Sequence, residues 1–193
     1  MTSPRQRPSR HPTSATETLG QLFPKIKCDY DAQSNRDPSL LCKHGTYADC
    51  HVLKLQKPTW TNDDMQQFQN QSGIFFSIWL EQNAAETSRA NYNIHALKLR
   101  QLRGYKLTSR NFATDFRHHF APLQKDWPNV STGFGPQTLM QGWFDIVAKT
   151  FPRDVIRLIS RFEKVSPIID KLLKNRDKAR PEFRDHPFEV RRR

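Results

Sequence analysis

Residues 73–102 read GIFFSIWLEQNAAETSRANYNIHALKLRQL. The first eight are nearly continuously apolar. In an extended chain Ile74, Phe76, Ile78 and Leu80 fall on one side, with Phe75 and Trp79 on the other. A strand apolar on both faces belongs inside a sheet. Residues 91–102 predict a second strand, with His95 and Leu97 turned one way and Lys98 and Arg100 the other. The two are expected to be antiparallel, joined by a loop over residues 81–90.

Upstream, YADCHVLKL at 47–55 is rich in strand formers and is stopped by Pro58. Thr61 or Asn62 then caps an expected short helix through Asp63, Asp64, Met65 and Phe68, its acids well placed in the first turn. Downstream, helical signals dominate. Residues 108–120 repeat phenylalanine at 112, 116 and 120 behind a Thr108 or Ser109 cap. Gly135-Pro136 predicts a helix start, with Leu139, Trp143, Val147 and Phe151 as its buried stripe. Pro152 and Ser166-Pro167 open two further helices, one carrying Val155, Ile156, Ile159 and Phe162, the other Ile168, Ile169, Leu172 and Leu173. Strands first and helices later predict an α+β fold: a small antiparallel sheet of about three strands, helices packed on one face and a helix-rich C-terminal half.

The 193 residues suit one domain, expected over 21–175, with roughly two-thirds of its unfolded surface buried. Residues 1–20 contain three prolines and no aromatic residue, and are expected to be a disordered basic tail. Residues 176–193 are read as a charged, solvated tail. No apolar stretch follows the basic N-terminal residues, and no run approaches membrane-spanning length. With three cysteines, an odd number, the expectation is a cytoplasmic chain with reduced thiols and no membrane contact.

Lys and Arg number 31 against 19 Asp and Glu, a net charge of +12. Such an excess attracts polyanions. Much of it falls inside the folded part, at Lys98, Arg100, Arg103, Lys106, Arg110, Arg117 and Lys125, against Asp115 alone between Ile94 and Lys125. Arg110 and Arg117 are seven residues apart and would share a helix face. Six of these cations, Lys98 through Arg117, form the candidate site for a phosphate backbone, which positively charged side chains hold without reading sequence. Ser131, Thr132, Gly133 and Gly135 are candidate anion ligands beside it, because a helix N-terminus offers free N–H groups and a positive dipole end. The glycine spacing and the missing Lys-Ser/Thr pair exclude a P-loop, and plain turn chemistry explains the same residues.

Cys28, Cys42, His44, Cys50 and His51 are zinc-type ligands without zinc spacing. No metal and no cofactor is expected. His118 and His119 are adjacent on a helix and cannot grip one ion from one face. His95, on a leucine-bearing face, reads as a hydrogen-bonded histidine. The expected function is a non-enzymatic accessory protein whose basic surface binds a polyanion, nucleic acid first among them. An enzyme would instead need a pocket near His95 and the Ser131–Gly135 loop. An interaction scaffold would leave Ile156, Ile159, Ile168 and Leu172 as an exposed patch.

Overall fold

The computed structural model describes residues 15–62 and 72–176. The helix expected through Asp63–Phe68 and the tails at 1–14 and 177–193 lie outside them. Residues 15–20, expected as tail, form helix α1 (Ala15–Gly20), whose Thr16 is buried. Helix α2 (Phe23–Asp31) starts on Pro24 and buries Phe23, Ile26 and Tyr30.

The sheet has five strands rather than about three: β1 (Leu41–Tyr47), β2 (Cys50–Gln56), β3 (Gly73–Leu80), β4 (Arg89–Leu97) and β5 (Thr138–Asp145). They run in sequence order, each antiparallel to the next. The strand expected over 47–55 is interrupted at its start. Ala48 and Asp49 take φ of 47° and 60° and turn the chain between β1 and β2, the positive-φ pair of a tight hairpin. Strand β3 is central, as its two apolar faces require. Gly73 opens it at φ +94°, where a Cβ would strike the Trp60 carbonyl. The β3–β4 connection contains a short helix, α3 (Ala84–Thr87), closed by Ser88 at φ 51°.

Two expected helices are corrected. The segment after Gly135-Pro136 is not a helix but β5, which alternates with Met140, Gly142 and Phe144 buried on the core side. The helices expected from Pro152 and Pro167 are one, α5 (Phe151–Lys174), with Pro167 inside it. Its apolar stripe, Val155 through Leu173, continues on both sides of the proline. Burying that stripe outweighs the roughly 3 kcal/mol that an interior proline costs. Helix α4 (Ser109–Phe120) forms as expected, and the Thr108 side chain accepts the Asn111 N–H at 3.2 Å.

One face of the sheet carries Leu53, Leu55, Ile74, Phe76, Ile78, Tyr92, Ile94 and Met140, all fully buried. Helices α2, α4 and α5 pack there. Phe76 stacks on Phe162 of α5 at 4.4 Å between centroids, and meets Trp127 edge-on at 6.3 Å. At the β1 side a polar pin ties three segments together. Lys57, almost wholly buried, places Nζ 2.7 Å from both Asp37 and Asp170, and Trp60 Nε1 donates to Asp170 at 2.8 Å. Ile159 and Leu172 are buried and Ile156 and Ile168 pack against the core, so the exposed patch that a scaffold would need is absent from these four positions.

Candidate nucleic-acid interface

Strand β4 ends at Leu97, three residues before the expected outward pair is complete. Lys98 turns left-handed at φ 51° and starts a 3-10 turn over Leu99–Gln101. Lys98 and Arg100 therefore leave the sheet face and begin the connection to α4. Lys98, Arg100, Arg103 and Lys106 are exposed along that connection, and Arg110 is exposed on the first turn of α4. Its backbone is held at several points. Asn62 Nδ2 donates to the Gln101 carbonyl at 2.5 Å, and its Oδ1 accepts the Arg103 N–H at 2.8 Å. The Lys106 N–H reaches the Arg176 carbonyl at 3.0 Å, and Ser109 Oγ donates to the Ala96 carbonyl at 3.0 Å. Among the described residues none of these five cations is in an ion pair. The one acid expected among them, Asp115, pairs with Arg176 instead.

Arg117 does not share this exposed surface. Its Nε donates to the Leu139 carbonyl at 3.1 Å. Its Nη2 faces the carbonyls of Phe134 (2.8 Å), Thr138 (2.8 Å) and Gly135 (3.1 Å). The guanidinium is a clamp that fixes the loop entering β5 to α4. This reverses the expected polarity of residues 131–135. No helix begins there, and the loop turns carbonyl oxygens toward a cation rather than N–H groups toward an anion. Ser131 bridges to Gln141 through both backbone groups, and its Oγ accepts the Gly133 N–H at 3.2 Å. Arg117→Ala is expected to cost about 2 kcal/mol, because hydrogen bonds to a charged donor are worth about 1.5–3 kcal/mol each and two of the four carbonyls, those of the exposed Phe134 and Gly135, can turn to water. Urea denaturation checks this. Arg117→Lys should recover little, since an ammonium lacks the planar fork that spans four carbonyls.

The chain matches no known family, no curated protein and no solved structure.

His95 lies beside the end of the same loop. The Asn93 Oδ1 accepts from Ser77 Oγ at 2.6 Å, which leaves its Nδ2 facing His95 Nε2 at 2.9 Å. His95 Nδ1 faces the Gln137 carbonyl at 3.2 Å and Thr138 Oγ1 at 3.3 Å. With an amide donor at Nε2 and a carbonyl acceptor at Nδ1, this network assigns the neutral ring with its proton on Nδ1. Burial lowers its pKa below 6.5, against the opposing hydrogen bond to Gln137. The ring is oriented by an amide, a carbonyl and a hydroxyl, and among the described residues no carboxylate hydrogen-bonds to it.

The cysteines are separated. Cys42 faces the core opposite Leu55, and burial pushes its thiol up to about 12. Cys28 is exposed on α2 and Cys50 lies at the start of β2. His51 packs against Gly20, while His118 and His119 are exposed on the last turn of α4. Among the described residues no three ligating side chains converge on a metal position, and no helix is long and apolar enough to cross a membrane.

Sequence reasoning placed Phe75 and Trp79 on a second face of β3 but missed that β5 brings Trp143 to the same face. There Val52, Phe75, Trp79, Asn91, His95, Gln141 and Trp143 are half-buried while Lys54, Gln56, Ser77 and Asn93 are buried, and helices α2, α4 and α5 lie on the other side. The register sets Lys43, Lys54, Ser77, Asn93 and Gln141 in one row and Val52, Trp79, Asn91 and Trp143 in the next. Lys54 Nζ sits 4.3 Å from the Phe75 ring centroid, and the Arg89 guanidinium lies 3.9 Å over Trp143.

Proposed function

We propose that this protein is a non-enzymatic accessory protein that holds a nucleic-acid backbone through Lys98, Arg100, Arg103, Lys106 and Arg110. One observation carries the reading: five exposed cations, none paired among the described residues, lie within thirteen residues, four on a connection whose backbone is anchored to Asn62, Ala96 and Arg176 and Arg110 on the first turn of α4. Lys25, Lys27, Lys57, Arg157 and Arg176 are paired with nearby acids, whereas Arg89, Lys125, Lys149, Arg153, Lys164, Lys171 and Lys174 are also exposed and in no ion pair among the described residues, so what sets the five apart is their closeness along the chain. Fixed, unneutralised charge displaces counterions from phosphates at little ordering cost, and does so without regard to sequence. Arg117, engaged with the β5 loop, and residues 131–135 play no part in this reading.

The test is fluorescence anisotropy with labelled DNA and RNA across a salt series. Five neutralised phosphates predict a slope of log affinity against log salt of about −4.5 on duplex DNA and about −3.5 on single strands. Changing all five cations to Ala should flatten the slope and weaken binding by roughly 100-fold or more at low salt, alike for every sequence. Undetectable binding of the wild-type chain at low salt, or an unchanged slope in the variant, would overturn the reading.

A further inference from the structure

We infer that the outer face of α5 is a second phosphate-binding row, and that the nucleic acid held is a duplex; this rests on the backbone reading above and names its substrate class. Helix α5 buries Phe162 and the rest of its apolar stripe against the sheet. Arg153 and Lys171 lie nine residues before and after Phe162, about two and a half turns, and so stand directly opposite it on the helix. Lys164, two residues on from Phe162, is within about 20° of the same line. All three are exposed, and none is in an ion pair among the described residues. Arg157 stands beside them, its side chain 63% exposed and 3.6 Å from Asp154. From Arg153 to Lys171 the row runs about 27 Å, the length of roughly eight base pairs.

No acid of α5 shares that line; each is about a quarter turn away from it. Asp154 accepts the Thr150 hydroxyl at 2.6 Å. Glu163 accepts Tyr30 Oη at 2.9 Å and the Asp37 N–H at 3.0 Å. Asp170 accepts from Lys57 and Trp60. On the flanks, Asp29 and Asp31 of α2 are matched by Lys25 and Lys27, and Asp115 of α4 by Arg176. The charge along the outer line of α5 is therefore positive only.

Charge complementarity and continuity select the occupant. The Lys106 N–H donates to the Arg176 carbonyl at 3.0 Å, so the C-terminal end of α5 meets the basic connection. A polyanion lying along the row arrives at that connection. A single strand is ordered by aromatic rings on which its bases stack. Both aromatic residues of α5, Phe151 and Phe162, are buried, and its outer row offers none. A duplex needs no such rings, being stiff over about 150 base pairs with its phosphates in fixed order on the outside. A lipid surface is bound by a helix whose apolar face is free to enter the headgroup boundary. The apolar face of α5 is packed in the core.

The test is fluorescence anisotropy of the full chain with a labelled duplex of about 20 base pairs and oligo(dT) of equal length, across a salt series. Five contacts on the connection and three on the row, eight in all, predict a slope of about −7 on the duplex instead of about −4.5. The triple variant Arg153→Gln, Lys164→Gln, Lys171→Gln should bring the slope back to about −4.5 and weaken duplex binding by roughly 10-fold or more at low salt. The wild-type chain should hold the duplex more tightly than oligo(dT), and the triple variant should lose most of that preference. All three side chains are exposed, so its urea midpoint should match the wild type. Arg153→Lys, Lys164→Arg, Lys171→Arg keeps the charge and should bind as the wild type does, which separates lost charge from lost fold. A wild-type slope near −4.5 that the triple variant leaves in place would show that the row takes no part, while the backbone reading stands. Equal affinity for duplex and oligo(dT) would overturn the duplex. Poly-glutamate competing as well as unlabelled duplex, or vesicles of phosphatidylserine and phosphatidylcholine binding where the duplex does not, would overturn nucleic acid as the occupant. If the wild-type chain binds no oligonucleotide at low salt, the backbone reading itself fails.

Discussion

Lys57→Met is expected to lower folding stability by about 3 kcal/mol, because removing one partner of a buried ion pair leaves the other charges uncompensated. For a domain whose total is about 5–15 kcal/mol, that is a large fraction. Lys57 is at the end of β2, Asp37 precedes β1 and Asp170 is on α5, so one ammonium joins three segments distant in sequence. The carboxylates retain some exposure, 31% and 42%, so water relieves part of their repulsion and keeps the effect at the low end of the range for fully buried pairs. Asp170→Asn keeps an oxygen for Trp60 Nε1 and removes one charge. Combined with Lys57→Met, it should cost less than the two single changes summed, and a double-mutant cycle by urea denaturation measures the difference. A loss under about 1 kcal/mol for Lys57→Met would show that the pin is merely tolerated.

The same pin predicts a pH dependence at both ends of the scale. Burial opposes ionisation of Asp37, but hydrogen bonds from Lys57 and Ser39 outweigh it and hold the carboxyl below 3.8. A depressed folded-state value means the contribution is complete above the unfolded value and is lost as pH falls below 3.8. Burial likewise opposes the charge on Lys57, but hydrogen bonds to Asp170 and Asp37 raise its pKa above 10.5. That contribution is complete below 10.5 and is lost as pH rises through the folded value. The stability gap between wild type and Lys57→Met should therefore be widest near neutrality and narrow in acid and in strong base.

How much of this was legible depends on which interactions are local. Strand β3 shows in the sequence because its apolar content is nearly continuous, and β4 because Tyr92, Ile94 and Ala96 alternate with Asn91, Asn93 and His95. Strand β1 does not: LCKHGTY carries a lysine, a histidine and a glycine, suited to an edge that must not recruit another chain. Its signal is its pairing with β2. For β5 the misleading feature was a spacing of four. Residues four apart share a face in a helix and, since four is even, also in a strand. Leu139, Trp143 and Val147 fit both, and the arbiter was Gly142, which costs about 1 kcal/mol in a helix interior. Reading β5 as helix hid Trp143 from the face that holds Phe75 and Trp79. The basic run was legible because charge composition needs no fold, whereas the diversion of Arg117 into the β5 loop depends on carbonyls roughly twenty residues away.

Gly142 also sets the second large effect. It lies opposite Tyr92 in the β4–β5 register, on the core side. A Cβ there would run into the Oη and Cζ of Tyr92 and stand 2.9 Å from the Pro128 carbonyl. That carbonyl is the acceptor for Tyr92 Oη, which donates to it at 2.5 Å. The glycine is thus the space that lets a fully buried tyrosine reach its partner. Gly142→Ala should cost about 1–3 kcal/mol by overpacking, and Gly142→Val more, because the ring must shift and its buried hydroxyl loses its acceptor. Tyr92→Phe should cost only about 1 kcal/mol and should reduce the penalty of Gly142→Ala, since the atom nearest the new methyl is then gone. Thermal or urea unfolding of the two single variants, the double variant and the wild type decides it. If Gly142→Ala costs as much in the Tyr92→Phe background as in the wild type, the crowding lies against the ring carbon or the Pro128 backbone and not against the tyrosine hydroxyl.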